Sequence, residues 1–340
     1  MTDPDPTEAA SVGLLLGADV GGTATRVAVA TITGQVLAVS TGPAGNPVGV
    51  GLAVSAARIR SGVLECLSRV DDRLARVDPT SSSRVRAAVL GLAGGLRIDD
   101  TFLRSAMPAT VHVQPRLVSD LSVAFSSATA ASEGYVLVAG TGAVAGRILD
   151  GDLQERRDGW GWLLGDEGSG FWLGREAVRT TVAALQSGLP LGPLGEHVAE
   201  RMGTRDPVAI IRRCYREPPI WLAAFAELVS RCADDPAAID IAERAADLLH
   251  TTLRRLEPRP ELPVVLAGSV VTSEGPVRDA LTRLLAGTLA NPVITTKSGL
   301  VGALWLAGRE VGLTEVDLHA TLTESCTANQ LNTGMKFSVP

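Results

Sequence analysis

The feature that most constrains the fold of this chain is a pattern of three short apolar runs joined by glycine turns, which occurs twice. The first copy reads VGLLLGADVGGTATRVAVATITGQVLAVS from Val12, and the second reads GYVLVAGTGAVAGRILDGDLQERRDG from Gly134. Glycines divide both segments at strand-length intervals, which favours three strands with tight turns over a helix. Because helical and strand signals follow each copy, the pattern predicts two similar α/β halves.

Helical spacing of apolar residues follows each copy of the pattern. After the first come the helix candidate LAVSAARIRSGVLECLSRVDDRLARV and the strand candidate VRAAVLGLAGG. After the second comes FWLGREAVRTTVAALQSG, for which Ser169 is a candidate N-cap. Further along, WLAAFAELVSRCADD, AAIDIAERAADLLHTTLRRLE and GLVGALWLAGREVG predict helices, and PVVLAGSVV predicts a buried strand. Residues 320–340 are polar and without a pattern, so no element is assigned to them.

We expect the boundary between the halves near Asp120, where the strand RLVSD passes into the Ala/Ser-rich segment LSVAFSSATAASEG. The acidic, Pro-rich start predicts a disordered tail at 1–12. An N-terminal domain is then expected at 13–118, completed by a helix at about 299–312, and a C-terminal domain at 119–298. Clefts between such halves are where ligands usually bind.

Charge and composition exclude several classes of partner. The formal net charge is −6, so the chain shows no electrostatic footprint for nucleic acid or for an anionic membrane. No apolar run approaches the roughly 20 residues of a membrane span, and the start lacks the features of a signal peptide. The four cysteines are far apart, which argues against a disulfide framework or a zinc site. We therefore expect a cytoplasmic protein with neither a nucleic-acid partner nor a membrane.

Two of the glycine turns, one in each half, are candidates for holding phosphate groups. They are Gly21-Gly22-Thr23 and Gly140-Thr141-Gly142. Backbone amides in such turns can converge on phosphate oxygens, because glycine lets a ligand approach closely. Thr23, Thr25 and Thr141 add hydroxyl donors. Either turn alone would fit an ordinary hairpin equally well, but their duplication favours the phosphate interpretation.

Two aspartates stand at the ends of predicted strands. Asp19 precedes the first glycine turn and could hold a hydrated Mg²⁺ beside phosphates; the alternative is a turn aspartate that bonds its own backbone. Asp120 could accept a proton from an attacking hydroxyl; the alternative is a helix N-cap. Gly268-Ser269, after the strand PVVLAG, could flank an adenine or form a simple tight connection.

The segment WGWLLGDEGSGFW holds three of the chain's five tryptophans around Asp166-Glu167. Such a loop fits either a buried corner of a core or a site that shields a polar molecule from water. For Trp172 we prefer core packing, since aromatic side chains are mostly buried. Glu167 is more typical of a helix-terminus carboxylate than of a catalyst.

These segments together resemble the sugar kinase, Hsp70 and actin superfamily, and within it the BadF/BadG/BcrA/BcrD ATPase group that contains N-acetylglucosamine kinase. GADVGGTATRVAVA resembles the first phosphate motif, VLVAGTGAVAGRI the second, and VVLAGSVV the adenosine motif. LLGDEGSGFWLGREAV resembles the sugar-site loop and following helix, and SGLVGALWLAG the terminal helix near the hinge. The likeness runs from about Gly13 to Gly308.

The resemblance implies an α/β fold with two ribonuclease H-like domains, the actin-like ATPase fold, and an interdomain cleft. It implies transfer of a phosphoryl group from ATP, with Mg²⁺, to a hydroxyl of an amino sugar. N-acetylglucosamine is the first candidate for that sugar, and the expected acceptor is the hydroxyl on the sixth carbon. A homodimer is also expected.

The resemblance further implies a role for each candidate residue. Asp120 takes the place of the catalytic base, and Asp19 would serve the metal. The implied ATP contacts are Gly21, Gly22, Thr23, Thr25, Gly140, Thr141, Gly142, Gly268 and Ser269. The implied sugar contacts are Asn46, Asp120, Gly159, Trp160, Gly161, Trp162 and Asp166. A pyranose offers hydroxyls to a carboxylate and C–H faces to an indole, so Trp160 and Trp162 would wall the sugar off from solvent.

One departure from the family pattern widens the choice of substrate. Ala143-Val144 stands where the mammalian type of enzyme has a polar pair, so one sugar contact is lost. Glucosamine, glucose and N-acetylmuramic acid therefore remain as alternatives. Of other classes, a reductive activator ATPase would need cysteines placed for an iron–sulfur cluster. A sugar-responsive repressor would need a DNA-binding module, for which only about a dozen residues precede the first strand.

Overall fold

The computed structural model describes residues 11–77, 82–94 and 98–332. The described chain divides into two compact units: one comprises the residues up to Ser132, 148–153 and those from Ser298, and the other comprises 133–147 and 154–297. The sequence boundary was expected near Asp120, whereas the first unit continues to Ser132. Of the predicted tail, residues 1–10 lie outside the described residues, and residues 11 and 12 begin the first strand.

The elements alternate between strands and helices in both units. The strands are β1 Ser11–Val20, β2 Ala24–Thr31, β3 Val36–Pro43, β4 Ser82–Leu92, β5 Arg116–Ser119, β6 Glu133–Ala139, β7 Ala143–Leu149, β8 Asp152–Asp158, β9 Val264–Ala267 and β10 Val293–Thr296. The helices are α1 Pro47–Val50, α2 Leu52–Val77, α3 Asp100–Ala106, α4 Asp120–Ala128, α5 Gly170–Gln186, α6 Pro193–Met202, α7 Pro207–Arg216, α8 Ala226–Arg231, α9 Pro236–Arg254, α10 Ser269–Thr272, α11 Pro276–Thr288, α12 Leu300–Glu310 and α13 Val316–Asn332. A 3₁₀ helix, Pro219–Phe225, precedes α8.

The sheet of the first unit has the strand order β3-β2-β1-β4-β5. β1, β2 and β3 form the antiparallel meander that the first sequence pattern predicts. β4 is parallel to β1, and β5 is parallel to β4. The carboxyl ends of β1, β4 and β5 therefore lie at one edge of the sheet, which is where ligands bind in open α/β sheets.

Helices cover both faces of this sheet. Successive residues of β1 point to opposite sides, and both sides carry apolar residues that need to be buried. Leu14 and Leu16 belong to the core under α2, together with the helically spaced Ile59 and Val63. The other face packs against α12, α4 and α13. There α12 passes so closely that a Cβ on Gly17 would lie 2.8 Å from the amide nitrogen of Leu304.

The sheet of the second unit has the order β10-β9-β6-β7-β8. β6, β7 and β8 are the second predicted meander, and β9 runs parallel to both β6 and β10. The core of this unit joins Tyr135 and Leu137 of β6 with apolar residues of α5 and α9, such as Trp172 and Leu249. The α/β class and the two related five-stranded sheets confirm the fold expected from the repeated pattern.

Several local predictions are confirmed as well. The α2 segment has the bounds expected from its spacing, and Ser169 caps α5 by accepting a hydrogen bond from the Trp172 amide at 3.2 Å. Trp172 is only 5% exposed, so it is core as preferred. The helical stretch WLAAFAELVSRCADD is divided into the 3₁₀ helix and α8.

The polar segment from residue 320 was left without an element, and most of it is helix α13. Leu318, Leu322 and Cys326 are buried at four-residue spacing against α12 and the sheet. Ser325 Oγ accepts a hydrogen bond from the Val36 amide at 2.8 Å, which fastens α13 to β3. Polar residues elsewhere on the helix mask this narrow stripe in the sequence. Residues 333–340 lie outside the described residues.

Within the described residues, no helix combines the length and the apolar character that crossing a membrane requires.

Candidate functional site

The first glycine turn joins β1 to β2 at the edge of the sheet where the carboxyl ends of β1, β4 and β5 lie. The Gly21 amide donates to the Ala24 carbonyl at 2.9 Å, and the Gly21 carbonyl accepts from the amides of Gly45 and Asn46, each at 3.1 Å. Gly22 and Thr23 are exposed at the tip of the turn. A Cβ on Gly22 would meet nothing within 4 Å, so the backbone there is open to an approaching ligand.

Asp19 is the penultimate residue of β1 and is separated from this turn by Val20 alone. Its Oδ2 accepts a hydrogen bond from the Gly299 amide at 2.9 Å and lies 3.7 Å from Nη1 of Arg26. Gly299 is the residue before α12, and its missing side chain leaves the space that the Asp19 carboxylate fills. Asp19 is thus held by a helix start and by its strand partner, not by its own turn.

Asp120 stands at the end of β5 and at the first position of α4. The Leu121 amide donates to its Oδ1 at 3.0 Å, and Ser119 Oγ lies 3.2 Å from the same oxygen. Burial and, second, the negative charge of Asp19 raise the pKa of Asp120 to about 6. The helix N-cap is Ser119, so the Asp120 carboxylate is not needed for capping. Asp19 and Asp120 therefore form an electrostatically coupled pair at one edge of the sheet.

Asn46 lies in the loop after β3, beside the first turn. Its Oδ1 accepts a hydrogen bond from the Val48 amide at 2.9 Å, which caps the short helix α1. A Cβ on Gly94, just beyond β4, would lie 3.3 Å from the same oxygen. The first unit therefore brings the ends of β1 and β4 and the loop of Asn46 together.

Thr25 was expected to contact phosphates, and the structure corrects this expectation. The residue is 2% exposed, and its hydroxyl points at the Cα of Gly45, where a Cβ would be 2.2 Å away. Its position on β2, opposite Val20, turns the side chain inward. Alternation along a strand decides this orientation, so Thr25 is left out of the proposed ATP contacts.

The second glycine turn joins β6 to β7 and is fastened to a helix. The Gly140 amide donates to the Gly142 carbonyl at 2.9 Å. The first amides of α5 donate to the carbonyls of the turn: Gly170 to Gly140 at 2.7 Å and Phe171 to Thr141 at 3.1 Å. A Cβ on Gly140 would meet nothing within 4 Å, so this turn too has a backbone open on one side.

The predicted adenosine turn lies next to the second phosphate turn. Gly268 has φ +88°, and a Cβ there would lie 2.4 Å from the carbonyl oxygen of Ala139, the residue before Gly140. Parallel pairing of β6 and β9 brings the two strand ends together. Ser269 is exposed and opens helix α10. The second unit thus joins both predicted ATP segments that belong to it.

Asp166 connects the tryptophan loop to the second glycine turn. Its Oδ2 occupies the space beside Gly142, where a Cβ would be 2.7 Å away. Burial raises the pKa of Asp166, and hydrogen bonds from the backbone of Ala143 and Gly161 oppose that shift. The carboxylate is therefore shared between the turn proposed for phosphates and the loop proposed for the sugar.

The tryptophans of the loop differ from one another. Trp160 is 61% exposed, and Trp162 is partly exposed with its ring centroid 5.4 Å from that of Phe171. The loop glycines Gly159 and Gly161 have φ of +69° and +82°, in the left-handed region that glycine favours. Trp160 and Trp162 are thus available to a ligand, whereas Trp172 is not.

Sequence reasoning missed Asp158, the last residue of β8. It is 7% exposed, and its two carboxylate oxygens accept hydrogen bonds from the amides of Asp166 at 2.8 Å and Glu167 at 2.9 Å. A signal was available, because Asp158 ends a strand directly before a glycine, and Asp19 and Asp120 likewise lie within one residue of the end of a strand.

The described residues fit the groups that the resemblance implies. Open backbone at Gly22 and Gly140 leaves room for phosphate oxygens close to amides. Among the described residues, no three His, Cys, Asp or Glu side chains gather as a metal-binding group. Mg²⁺ needs no such group, since one or two carboxylates suffice when waters and phosphates complete its shell. Asp19, with Asp120 beside it, provides oxygens of the required kind.

Comparison with known proteins agrees with this arrangement. A family model described as the BadF/BadG/BcrA/BcrD ATPase family matches residues 16–307. The chain belongs to the BadF/BadG/BcrA/BcrD ATPase family. The match spans both sheets and ends within α12, so α13 lies beyond it. The resemblance stated from the motifs is thereby confirmed.

Named relatives of this ATPase-family chain include two curated proteins. N-acetyl-D-glucosamine kinase of Dictyostelium discoideum is 26% identical over 86% of this chain and 97% of its own length. N-acetylmuramic acid/N-acetylglucosamine kinase of Clostridium acetobutylicum is 29% identical over 51% of this chain and 54% of its own length. Among solved structures, a candidate N-acetylglucosamine kinase from Chromobacterium violaceum is 27% identical, with a TM-score of 0.70 over 87% of this chain and 99% of that one.

Proposed function

We propose that this protein is an ATP-dependent sugar kinase that phosphorylates a hydroxyl of an amino sugar, with N-acetylglucosamine as the first candidate. The observation that carries the proposal is the carboxylate of Asp120. It lies at a strand end beside Asp19, and its pKa is raised to about 6. A group with that pKa is ionised at pH 7 yet basic enough to accept a proton from an attacking hydroxyl.

The two glycine turns would hold ATP in this proposal. Phosphoryl transfer depends mainly on positioning and on stabilising charge, and backbone amides beside Gly22 and Gly140 provide both without a side chain in the way. The proposed ATP contacts are Gly21, Gly22, Thr23, Gly140, Thr141, Gly142, Gly268 and Ser269. Asp19 would hold Mg²⁺, which when bound neutralises phosphate charge. The interdomain cleft stays a prediction.

The sugar contacts proposed are Asn46, Asp120, Gly159, Trp160, Gly161, Trp162 and Asp166. The exposed indole of Trp160 suits the C–H face of a pyranose, and Asp166 supplies a carboxylate for its hydroxyls. The two relatives named above act on N-acetylglucosamine or N-acetylmuramic acid, which supports an N-acetylated acceptor. Ala143 is buried and apolar, so glucosamine, glucose and N-acetylmuramate stay as alternative acceptors, with the sixth-carbon hydroxyl as the expected site.

A substrate panel tests the proposal directly. Glucose, glucosamine, N-acetylglucosamine, N-acetylmannosamine and N-acetylmuramate are each offered with Mg-ATP, and ADP release is measured. We expect N-acetylglucosamine to give the highest kcat/KM, and the mass and NMR spectra of the product to locate the phosphate on the sixth carbon. If no sugar raises ADP release above the rate without sugar, the proposal is wrong.

Asp120→Asn tests the proposed base. The variant keeps an oxygen that can accept from the Leu121 amide but cannot take up the proton, so kcat should fall by roughly 10²–10⁴-fold. ATP affinity, measured by calorimetry, should stay near that of the native protein. Asp99→Asn is the matched control, because Asp99 caps α3 through the Phe102 amide and asparagine caps equally well. A kcat for Asp120→Asn close to that of Asp99→Asn would contradict the role.

A reductive activator ATPase is the alternative from another class. It requires thiolates that reach an iron–sulfur cluster. Cys66 and Cys326 lie in the middle of α2 and α13, where burial raises the pKa of the first to about 12 and of the second to about 11. Cys214 lies in α7 and Cys232 just after α8. These positions favour the kinase over the activator.

Cytoplasmic location and a homodimer stay predictions from the sequence and the resemblance. Light scattering coupled to size-exclusion chromatography measures the oligomeric state. For a homodimer we expect a mass of about twice the 35.3 kDa of the chain.

A further inference from the structure

Asp158 is a buried carboxylate whose hydrogen bonds reach into the tryptophan loop. Its Oδ1 accepts from the Asp166 amide at 2.8 Å and its Oδ2 from the Glu167 amide at 2.9 Å. Asp158 is the last residue of β8 and is 7% exposed. These two hydrogen bonds tie the far end of the loop to the sheet.

The backbone on both sides of this contact is held in an uncommon conformation. Asp158 has φ +60° and Asp166 has φ +58°, a region that costs a non-glycine residue free energy unless neighbouring structure holds it. Gly165 lacks the side chain that would collide, since a Cβ there would lie 2.1 Å from Oδ1 of Asp158. The carboxylate of Asp158 therefore fills a space that the loop leaves for it.

The position of the Asp166 side chain follows from the position of its backbone. Its carboxylate is packed against Gly142 and accepts hydrogen bonds from the backbone of Ala143 and Gly161. If the Asp166 amide lost its acceptor, the left-handed conformation would relax and the carboxylate would move. A displacement of about 1 Å at a site can cost about 100-fold in rate.

We propose that Asp158 is a positioning residue that sets the affinity of the loop 159–167 for the sugar by fixing Asp166. The inference rests on the proposed function, since it concerns the same sugar contact. Asp158 itself is buried under the loop and touches its amides, so it acts through Asp166. The second glycine turn keeps its own bonds from Gly170 and Phe171, so ATP should be affected much less than the sugar.

Two variants separate the hydrogen bonds from the backbone conformation. Asp158→Asn keeps a residue that tolerates positive φ but retains one acceptor oxygen in place of two. Asp158→Gly keeps the conformational freedom and removes both acceptors. Glu155→Gln is the matched control, because Glu155 is on the same strand and its carboxylate pairs with Arg157 and not with the loop.

We expect the KM for the sugar to rise at least about tenfold in Asp158→Gly and by less in Asp158→Asn, which is the loss expected when a charged hydrogen-bonding partner of a ligand is misplaced. The KM for ATP should stay within about twofold, and Glu155→Gln should match the native protein in both. Amide hydrogen exchange of Asp166 and Glu167 should speed up in the two Asp158 variants without any ligand present.

Each other outcome has a definite meaning. Unchanged exchange at Asp166 and Glu167, or faster exchange with an unchanged sugar KM, overturns the inference while leaving the kinase proposal intact. Parallel losses in sugar KM, ATP KM and melting temperature would show a general structural role and would also overturn it. If the native protein releases no ADP in response to any sugar, the proposed function fails and the inference fails with it.

Discussion

The two glycine turns have similar sequences but different supports. The turn between β1 and β2 is bonded through Gly21 to the loop of Gly45 and Asn46, and its tip is exposed. The turn between β6 and β7 gives two carbonyls to the first amides of α5 and has the Asp166 carboxylate packed against Gly142. The motif therefore has an exposed tip in the first unit, whereas in the second unit it is held by α5 and by Asp166.

This difference teaches that a glycine in such a motif can be present for two separate reasons. Gly22 leaves space for a ligand, because nothing in the protein lies near its missing side chain. Gly142 leaves space for another residue of the protein, namely Asp166. The first reason concerns only the proposed nucleotide contact, whereas the second links the proposed nucleotide turn to the proposed sugar loop.

Alanine at each of these glycines gives the largest effect that separates the two turns. In Gly142→Ala the new Cβ would be 2.7 Å from Oδ2 of Asp166, so the carboxylate must move. The KM for the sugar should then rise about tenfold or more, because a charged hydrogen-bonding partner of the sugar is displaced. In Gly22→Ala the methyl group would enter the open space that is proposed for a phosphate. Only the KM for ATP should therefore rise. Steady-state kinetics with each substrate varied in turn measures both constants. Identical shifts in the two variants would remove the distinction.

The carboxylates of Asp120 and Asp166, one in each unit, should also differ in how much they destabilise the folded state. The raised pKa of Asp120, about 6, means that the folded state holds this proton more tightly than the unfolded chain. The native protein therefore loses stability as the pH rises from about 4 through 6, and Asp120→Asn does not. At pH 7 Asp120→Asn should therefore be more stable than the native protein. The expected difference is only about 1 kcal/mol, because Asp120 is partly exposed and solvent screens its charge.

Asp166→Asn should gain less than Asp120→Asn at the same pH. Burial raises the pKa of Asp166 too, but its carboxylate accepts hydrogen bonds from the Ala143 and Gly161 backbone that an amide side chain replaces incompletely. Thermal melts of both variants at pH 4.5 and 7.5 measure the differences. A stability advantage of Asp120→Asn that is larger at the lower pH would contradict the assigned pKa direction.

The smallest effects concern the serine caps of the helices that begin in each region. Ser119→Ala and Ser169→Ala each remove the side-chain cap of α4 or α5, which should cost about 0.5–1 kcal/mol in unfolding free energy. Only Ser119 also contacts the Asp120 carboxylate, whose pKa it lowers. Chemical denaturation should therefore give similar losses for both variants. The pH profile of kcat should shift to higher pH in Ser119→Ala alone, since the base would then lose its proton at a higher pH.

Much of the fold was predictable because it follows from local periodicity. The spacing of Ile59, Val63 and their neighbours predicts α2, and glycines at strand-length intervals predict both meanders. Helix α13 was missed because only a narrow stripe of Leu318, Leu322 and Cys326 is buried, and polar residues dilute that signal. Thr25 was misassigned because a residue beside a motif was taken to share its exposure, although strand alternation turns it inward.

The sequence by itself determined both strand meanders and the helices with a clear apolar repeat, such as α2, since a tight turn or a helical repeat depends on residues a few positions apart. It also determined which glycines and carboxylates were available for chemistry. Only the tertiary structure decided that Gly299 holds Asp19, that Asp19 raises the pKa of Asp120, and that Asp158 holds the amides of Asp166 and Glu167. These contacts arise from the order of strands in each sheet and from the packing of helices on it, because those bring distant segments within hydrogen-bonding and Coulombic range.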